Sequence, residues 1–362
     1  MLYLGVNKLI EMGRVFGGGL VVLFSLFLFS CEKSTDVAEI TELRLTITKL
    51  KILDNNSDAA TVFVYNQEDE DVTGMVELYL DGIVLTSPEI RSSQAGEYDL
   101  YAKYGDIASN VVMFEVVEDS GLEYTKNILI EQFTGTWCGY CPRAVAFIHN
   151  LMATDNDIGH IAYHLNDPLS YAYNVTLFQY FGFTGVPTVL ADRNIVWNGS
   201  ASQVSALHKP VRAGISLAVS GSEAQLNINV GVRFGIRYTD NIKLTVYLVE
   251  DNLVEDQENY YNDDPSSVYY QAGSVMTDFV HRNTMKMTLT DMFGDNIPSG
   301  SVDIGGLYEV SFHPRSIPVT NIDNVKVVAF VSYGSGSKKD QVINSLVCSF
   351  NSESGSTLVG SR

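Results

Sequence analysis

The 362-residue chain is long enough for two or three domains. With 46% hydrophobic and 18% charged residues it belongs among globular chains, which excludes a disordered tail or linker protein. A formal net charge of −20 argues against nucleic acid as a partner, because phosphate binding requires a basic surface.

Lys8 and Arg14 precede an apolar run, Leu20 to Phe29, that ends Leu28-Phe29-Ser30-Cys31. The run is too short to span a bilayer and carries the flanks of an export signal, so residues 1–30 read as a signal peptide, with Met12 as an alternative start. Leu-x-Ser-Cys resembles the lipoprotein box of bacteria. That resemblance implies lipidation of Cys31, a new N-terminus there, and attachment to a membrane through the lipid. The competing reading is an ordinary secretory signal with an incidental cysteine. Residues 31–37 form a polar tether. The compartment reached is oxidising, so a cysteine pair there is expected to be bridged or redox-active.

Residues 38–118 carry a strand period. Leu43, Leu45 and Ile47 alternate with Arg44, Thr46 and Thr48. Asp81-Gly82 sits between two apolar stretches as a hairpin turn. Ala95-Gly96-Glu97-Tyr98-Asp99-Leu100 resembles the tyrosine corner of immunoglobulin-like domains. The expectation is a small immunoglobulin-like β-sandwich held by hydrophobic packing alone, serving as a spacer or as a binding module. Glu68 to Asp71 lacks the spacing of a calcium loop and reads as solvated.

Residues 122–212 hold the most informative stretch. The apolar run Ile128 to Phe133 reads as a buried strand. It leads to Trp137-Cys138-Gly139-Tyr140-Cys141-Pro142, and Ala144 to Met152 reads as a helix. Proline is tolerated only in a first helical turn, so the helix must begin at the cysteine pair. Backbone N–H groups there stabilise a thiolate, the form that attacks a disulfide. Further on, Gly185-Val186-Pro187-Thr188 supplies an X–Pro bond of the kind that adopts cis at low cost. Elements are expected in the order strand, helix, strand (158–165), helix (168–181), strand from 187, strand (195–197), helix (202–208).

With these motifs the stretch resembles the thioredoxin superfamily over about a quarter of the chain. The resemblance implies Cys138 as the exposed nucleophile, Cys141 as the buried resolving thiol, and Trp137, Gly139, Tyr140, Val186 and Pro187 as the surroundings that hold a substrate chain. It also implies a buried carboxylate six residues before the first cysteine, where this sequence has Gln132. Glu131 is next to it, and strand alternation points it to the opposite face. His149, His160 and His164 lack the spacing of metal ligands, and no metal or cofactor is expected. The aromatic and polar segment 166–183 reads either as core and cap or as a peptide-binding segment.

Residues 213–362 show strict alternation at Leu226 to Phe234 and at Ile242 to Leu248, with later strands at 285–289, 307–312, 325–333 and 342–350. No helical period appears, so a C-terminal β-sandwich is expected. Cys348 shares a strand face with Leu346 and Phe350 and reads as a buried core residue. The stretch 250–264 is acidic and Tyr-rich and reads as a long exposed loop. Glu131 to Gly135, Val246 to Asp251, Phe279 to Asn283 and Val327 to Val331 together resemble the Omp-twenty-eight-related outer-membrane proteins of Bacteroidetes-type bacteria. That resemblance implies an outer-membrane lipoprotein of the cell envelope and a thioredoxin-like domain followed by a β-sandwich, in a family described chiefly as surface proteins. His281-Arg282 reads as a structural hydrogen-bond site between strands.

The chain is therefore expected to be multidomain, α/β plus all-β, divided at 38–118, 122–212 and 213–362. Two functions follow from the sequence. In the first, a membrane-anchored thiol–disulfide oxidoreductase acts on disulfides of exported proteins: Cys138 attacks, Cys141 resolves the mixed disulfide, and an unidentified redox partner resets the pair. In the second, Cys138–Cys141 is a static bridge in a surface binding or adhesion lipoprotein.

Overall fold

The computed structural model describes residues 39–56 and 58–359; the export signal, Cys31 and the tether lie outside the described residues. The first 80 or so described residues form two small sheets on one core. Leu43–Ile47, Ala60–Asn66 and Glu89–Ile90 make one sheet, and Lys51–Leu53, Val112–Val117, Gly96–Tyr104, Glu77–Leu80 and Ile83–Val84 the main path of the other. Leu45, Val62 and Val64 from the first meet Leu78, Leu100 and Phe114 from the second. Asp81 and Gly82 turn the hairpin with φ of 47° and 77°, the pair of positive values that a two-residue primed turn demands. The Tyr98 hydroxyl donates to the Gln94 carbonyl at 2.9 Å, an upstream backbone bond of the kind a tyrosine corner makes.

A nine-stranded sheet dominates the rest. Ile128–Thr134, buried at every position, runs parallel to Ile158–His164 and antiparallel to Thr188–Ala191, which pairs antiparallel with Ile195–Val196. On the other side the sheet continues: Ala162 stands opposite Thr284 in Thr284–Thr288, followed by Ile242–Glu250, Val325–Tyr333 and Val342–Ser349. The division expected near residue 212 therefore does not interrupt the sheet. The physical reason is that the later strands are apolar on both faces. Ile242, Leu244, Val246 and Leu248 face the four-stranded sheet containing Ala213–Ser222 and Gln225–Phe234, a core that also takes in Cys348. Tyr247 and Val249, on the opposite face, share a core with Leu129, Phe133 and Tyr163.

Three helices flank this sheet: Cys141–Thr154, Asn174–Tyr180 and Ala201–Ser205. The second is shorter than the pattern 168–181 predicted. Asp167 accepts the backbone N–H of Leu169 and exchanges hydrogen bonds with Ser170, holding residues 167–170 in a turn. Phe178, Phe181 and Phe183 close around Phe133 at centroid distances of 5.6, 6.4 and 5.5 Å, so the aromatic segment serves as core and cap. The acidic stretch expected as a loop instead contains the strand Leu253–Glu258, which pairs with Val275–His281 as a separate two-stranded ribbon.

Two buried ion pairs join the two sides of the large sheet. Glu131 takes a bidentate bond from Arg193 at 2.8 and 2.7 Å and a bond from the Tyr163 hydroxyl at 2.6 Å. The Arg193 guanidinium lies 4.6 Å from the ring centre of Phe330, a residue of the later strands. Lys126 pairs with Asp192 at 3.0 Å and donates to the carbonyls of Val342 and Ile343. Removing one member leaves an uncompensated buried charge. Arg193→Ala is expected to lower unfolding stability by about 3–5 kcal/mol, read from urea unfolding; a loss below about 1 kcal/mol would mean that water reaches Glu131.

Candidate functional site

The cysteine pair lies where the central strand ends and the first helix begins. Cys138 and Cys141 form a disulfide with Cα atoms 5.4 Å apart. The Cys138 N–H donates to the Gly135 carbonyl and the Cys141 N–H to the Cys138 carbonyl, each at 3.0 Å, so the turn closes on itself before the helix starts. Pro142 occupies the first helical turn, as its lack of an N–H requires. The Val186–Pro187 bond is cis, and Pro187 lines a cleft of about 440 Å³ together with Tyr140, Arg143, Phe147, Trp197 and Tyr261.

The burial of the pair corrects one expectation. Cys138 was expected to be exposed, yet it is 4% accessible and Cys141 0%. Residues 257–260 of the ribbon lie across the turn. Gln257, itself buried, points its amide nitrogen at the carbonyls of Gly135, Thr136 and Cys138 at 3.3, 3.1 and 3.0 Å. The N–H of Glu258 donates to the Thr136 carbonyl at 2.8 Å and that of Tyr260 to the Gly139 carbonyl at 2.9 Å. Glycine at 139 lets the Tyr260 ring close over the turn, because a Cβ there would stand 2.3 Å from that ring. Trp137 and Tyr140 remain 50% and 57% exposed beside the pair. The Trp137 indole donates to the Leu165 carbonyl at 2.7 Å, and Tyr140 meets Tyr260 edge-on at 5.1 Å.

Beneath the turn, alternation places Glu131 and Gln132 on opposite faces, and both faces are buried. Glu131 is committed to Arg193. Gln132 lines a cavity of about 10 Å³ with His149, His160, His164 and His281, and the side-chain nitrogen of Gln132 and Nε2 of His160 have no hydrogen-bond partner. His160 Nδ1 meets the Asn283 amide at 3.2 Å, His164 Nδ1 bonds Asp167 at 2.7 Å, and His281 Nε2 meets the Glu255 carbonyl at 3.3 Å, the inter-strand role its sequence position suggested. Among the described residues, no group of three or more His, Cys, Asp or Glu is placed to hold a metal ion. Burial works against the charge of Asp167, but the bond from His164 and the N–H groups of Thr136 and Leu169 hold its pKa below the usual carboxylate value.

Sequence reasoning missed Gln257, Tyr260 and Arg193. The one available signal at 257 is an uncharged amide inside Glu255-Asp256-Gln257-Glu258, at the inward position of a strand alternation. Nothing local marks Arg193, whose partner lies 62 residues away.

Residues 174–349 match the family described as Outer membrane protein Omp28. That part of the chain is similar to this family. The matched segment begins at the first residue of the helix Asn174–Tyr180 and ends at the last strand of the nine-stranded sheet, so it crosses the division expected near 212. Among solved structures, the chain is similar to HBP35 of Porphyromonas gingivalis, with 20% identity, a TM-score of 0.51, and coverage of 63% of this chain and 76% of that one. It is more distantly similar to a domain of the outer membrane lipoprotein Omp28 from Porphyromonas gingivalis, with 13% identity, a TM-score of 0.25, and coverage of 39% and 89%. The first likeness shows a shared fold. No curated protein matches the sequence. Among the described residues no helix is long and apolar enough to cross a membrane.

The histidines make a pH prediction. Burial, followed by the nearby charges of His149 and Lys326, pushes His160 down to about 3; burial and His164 push His281 down to about 4. In the unfolded chain both return to about 6.5, so between these values the unfolded state binds more protons and stability falls as pH falls. Unfolding stability is expected to decline by a few kcal/mol (order of magnitude) from about pH 6.5 toward pH 4. In His281→Gln, urea unfolding across that range is expected to show a shallower decline, and an unchanged slope would mean that His281 is not the group responsible.

Proposed function

We propose that this chain is an Omp28-type outer-membrane lipoprotein that works as a surface binding protein, with Cys138–Cys141 a static structural bridge. The observation that carries this reading is the burial of both cysteines, in a turn whose carbonyls are bound by residues 257–260. A thiol–disulfide exchange catalyst has to offer one sulfur for in-line attack by an external thiolate. Gln132 at the position where the thioredoxin resemblance implies a carboxylate supports the same reading. The family described for residues 174–349, together with Leu28-Phe29-Ser30-Cys31, supports attachment to the outer membrane through a lipid on Cys31. The half-exposed Trp137, Tyr140 and Tyr260 beside the cleft at Pro187 are the residue types enriched in recognition surfaces.

For the fold, our reading is an immunoglobulin-like sandwich (38–118), a thioredoxin-like unit (122–212) and a β-sandwich (213–362), the last two sharing one sheet. The strand order 195–196, 188–191, 128–134, 158–164, with one parallel and two antiparallel pairings and helices between, supports the thioredoxin-like assignment.

A second reading, the anchored oxidoreductase with Cys138 attacking and Cys141 resolving, is favoured by the disulfide at a helix N-terminus next to Pro187. One titration separates the two. Residues 32–362 are equilibrated in thiol–disulfide buffers, and free thiols are alkylated and read by mass spectrometry. A potential below about −300 mV is expected, the range of structural disulfides; a value between about −120 and −270 mV would replace the static bridge with the catalyst.

A further inference from the structure

The ribbon made by Leu253–Glu258 and Val275–His281 joins no other sheet, and its free end is fixed to the cysteine turn. The fixing is dense. The carbonyls of Gly135, Thr136, Cys138 and Gly139, four of the five from 135 to 139, all accept a donor from residues 257–260. Gln257 is 2% accessible, and its amide nitrogen also meets the carbonyl of Glu258 at 3.0 Å, so two hydrogens are shared among four oxygens. The segment is in turn held to the base of its own loop. The Asn259 side chain donates to the carbonyls of Tyr269 and Gly273, and the Asn259 N–H donates to Ser274. Tyr260 covers Gly139 so closely that no side chain fits between them.

We propose that Gln257–Tyr260 is an intramolecular strap that denies external thiols access to the disulfide, and that release of the strap and reduction of the bridge are coupled. The inference rests on the static-bridge reading and names what keeps the bridge static. Reduction by an external dithiol breaks the Cys138–Cys141 bond. Two electrons and two protons pass to the cysteines, giving two thiols, and the two sulfurs of the reductant join as a disulfide. The attacking thiolate must lie in line with the sulfur–sulfur bond, and in the closed state the strap and the buried turn exclude it. Reduction therefore proceeds through an open state whose population is set by the strap's hydrogen bonds. The coupling is reciprocal. Once the bond is broken the sulfurs move apart, and the carbonyls at 135–139 lose the fixed arrangement that the strap donors require.

The experiment uses residues 32–362 with dithiothreitol as the probe. Disulfide loss is followed by alkylation and mass spectrometry, and the fold is monitored by thermal melts. In Gln257→Ala and in Gly139→Ala, whose added methyl displaces Tyr260, reduction is expected to be faster than in the unaltered chain by about tenfold or more. In a parallel measurement, amide hydrogen exchange at Glu258 and Tyr260 is compared between the oxidised chain and Cys138→Ser/Cys141→Ser. Exchange is expected to be faster in the double variant by a similar factor. Unchanged reduction rates in folded variants, or equal exchange when the variants do not fold, would overturn the strap while leaving the static bridge standing. Rapid reduction of the unaltered chain would instead overturn the static bridge.

Discussion

The bond between Glu131 and Arg193 sets the terms for everything around the cysteine pair. A carboxylate with no solvent access is tolerable only when its charge is neutralised and its lone pairs are filled, and Arg193 and the Tyr163 hydroxyl do both. The guanidinium in turn needs cover, which comes from Phe181 on one side and Phe330 on the other. Phe330 belongs to a strand almost 200 positions further along the chain than Glu131. The central strand of the α/β unit can therefore hold a charged residue at full burial only because the C-terminal strands extend its sheet. Lys126 and Asp192 repeat the arrangement at the other end of the strand, with Lys126 also holding carbonyls of Val342 and Ile343.

This shared sheet gives the cysteine pair its environment. In an isolated α/β unit the turn at 135–140 would face solvent. Here the segment after Ile242–Glu250 leaves the large sheet as a ribbon and returns across that turn, so residues far apart in sequence cap it. Gln257 and Tyr260 thereby bind the carbonyls of the turn that carries the two cysteines, and both cysteines are buried. The same segment leaves Trp137 and Tyr140 in view, so the local surface becomes an aromatic rim without an accessible sulfur. That combination is what the proposed binding role rests on.

The segment that matches the family starts at the helix Asn174–Tyr180 and ends on the strand Val342–Ser349, so it contains strands of the nine-stranded sheet on both sides of residue 212. Covalent modularity and physical modularity have separated in this chain, because strands with two apolar faces cannot stop at a domain edge without exposing one of them.

Short-range information was legible wherever the physics is short-range. The Asp81-Gly82 turn, the tyrosine corner at Tyr98, the helix start at Pro142 and the buried Cys348 all depend on neighbours within a few residues or on a simple alternation, and the sequence by itself determined them. Alternation also separated Glu131 from Gln132 correctly. It had no means of showing that both faces are buried, since burial of the second face depends on Tyr247, Val249 and Phe330 arriving from elsewhere. The acidic character of 250–264 pointed to solvent, and tertiary contact overruled it: one uncharged glutamine turns inward and satisfies carbonyls more than a hundred residues away. Whether the cysteines are reachable was decided only there, because access is a property of what lies over a site in space, and a spacing of two cysteines records only what lies beside them in the chain.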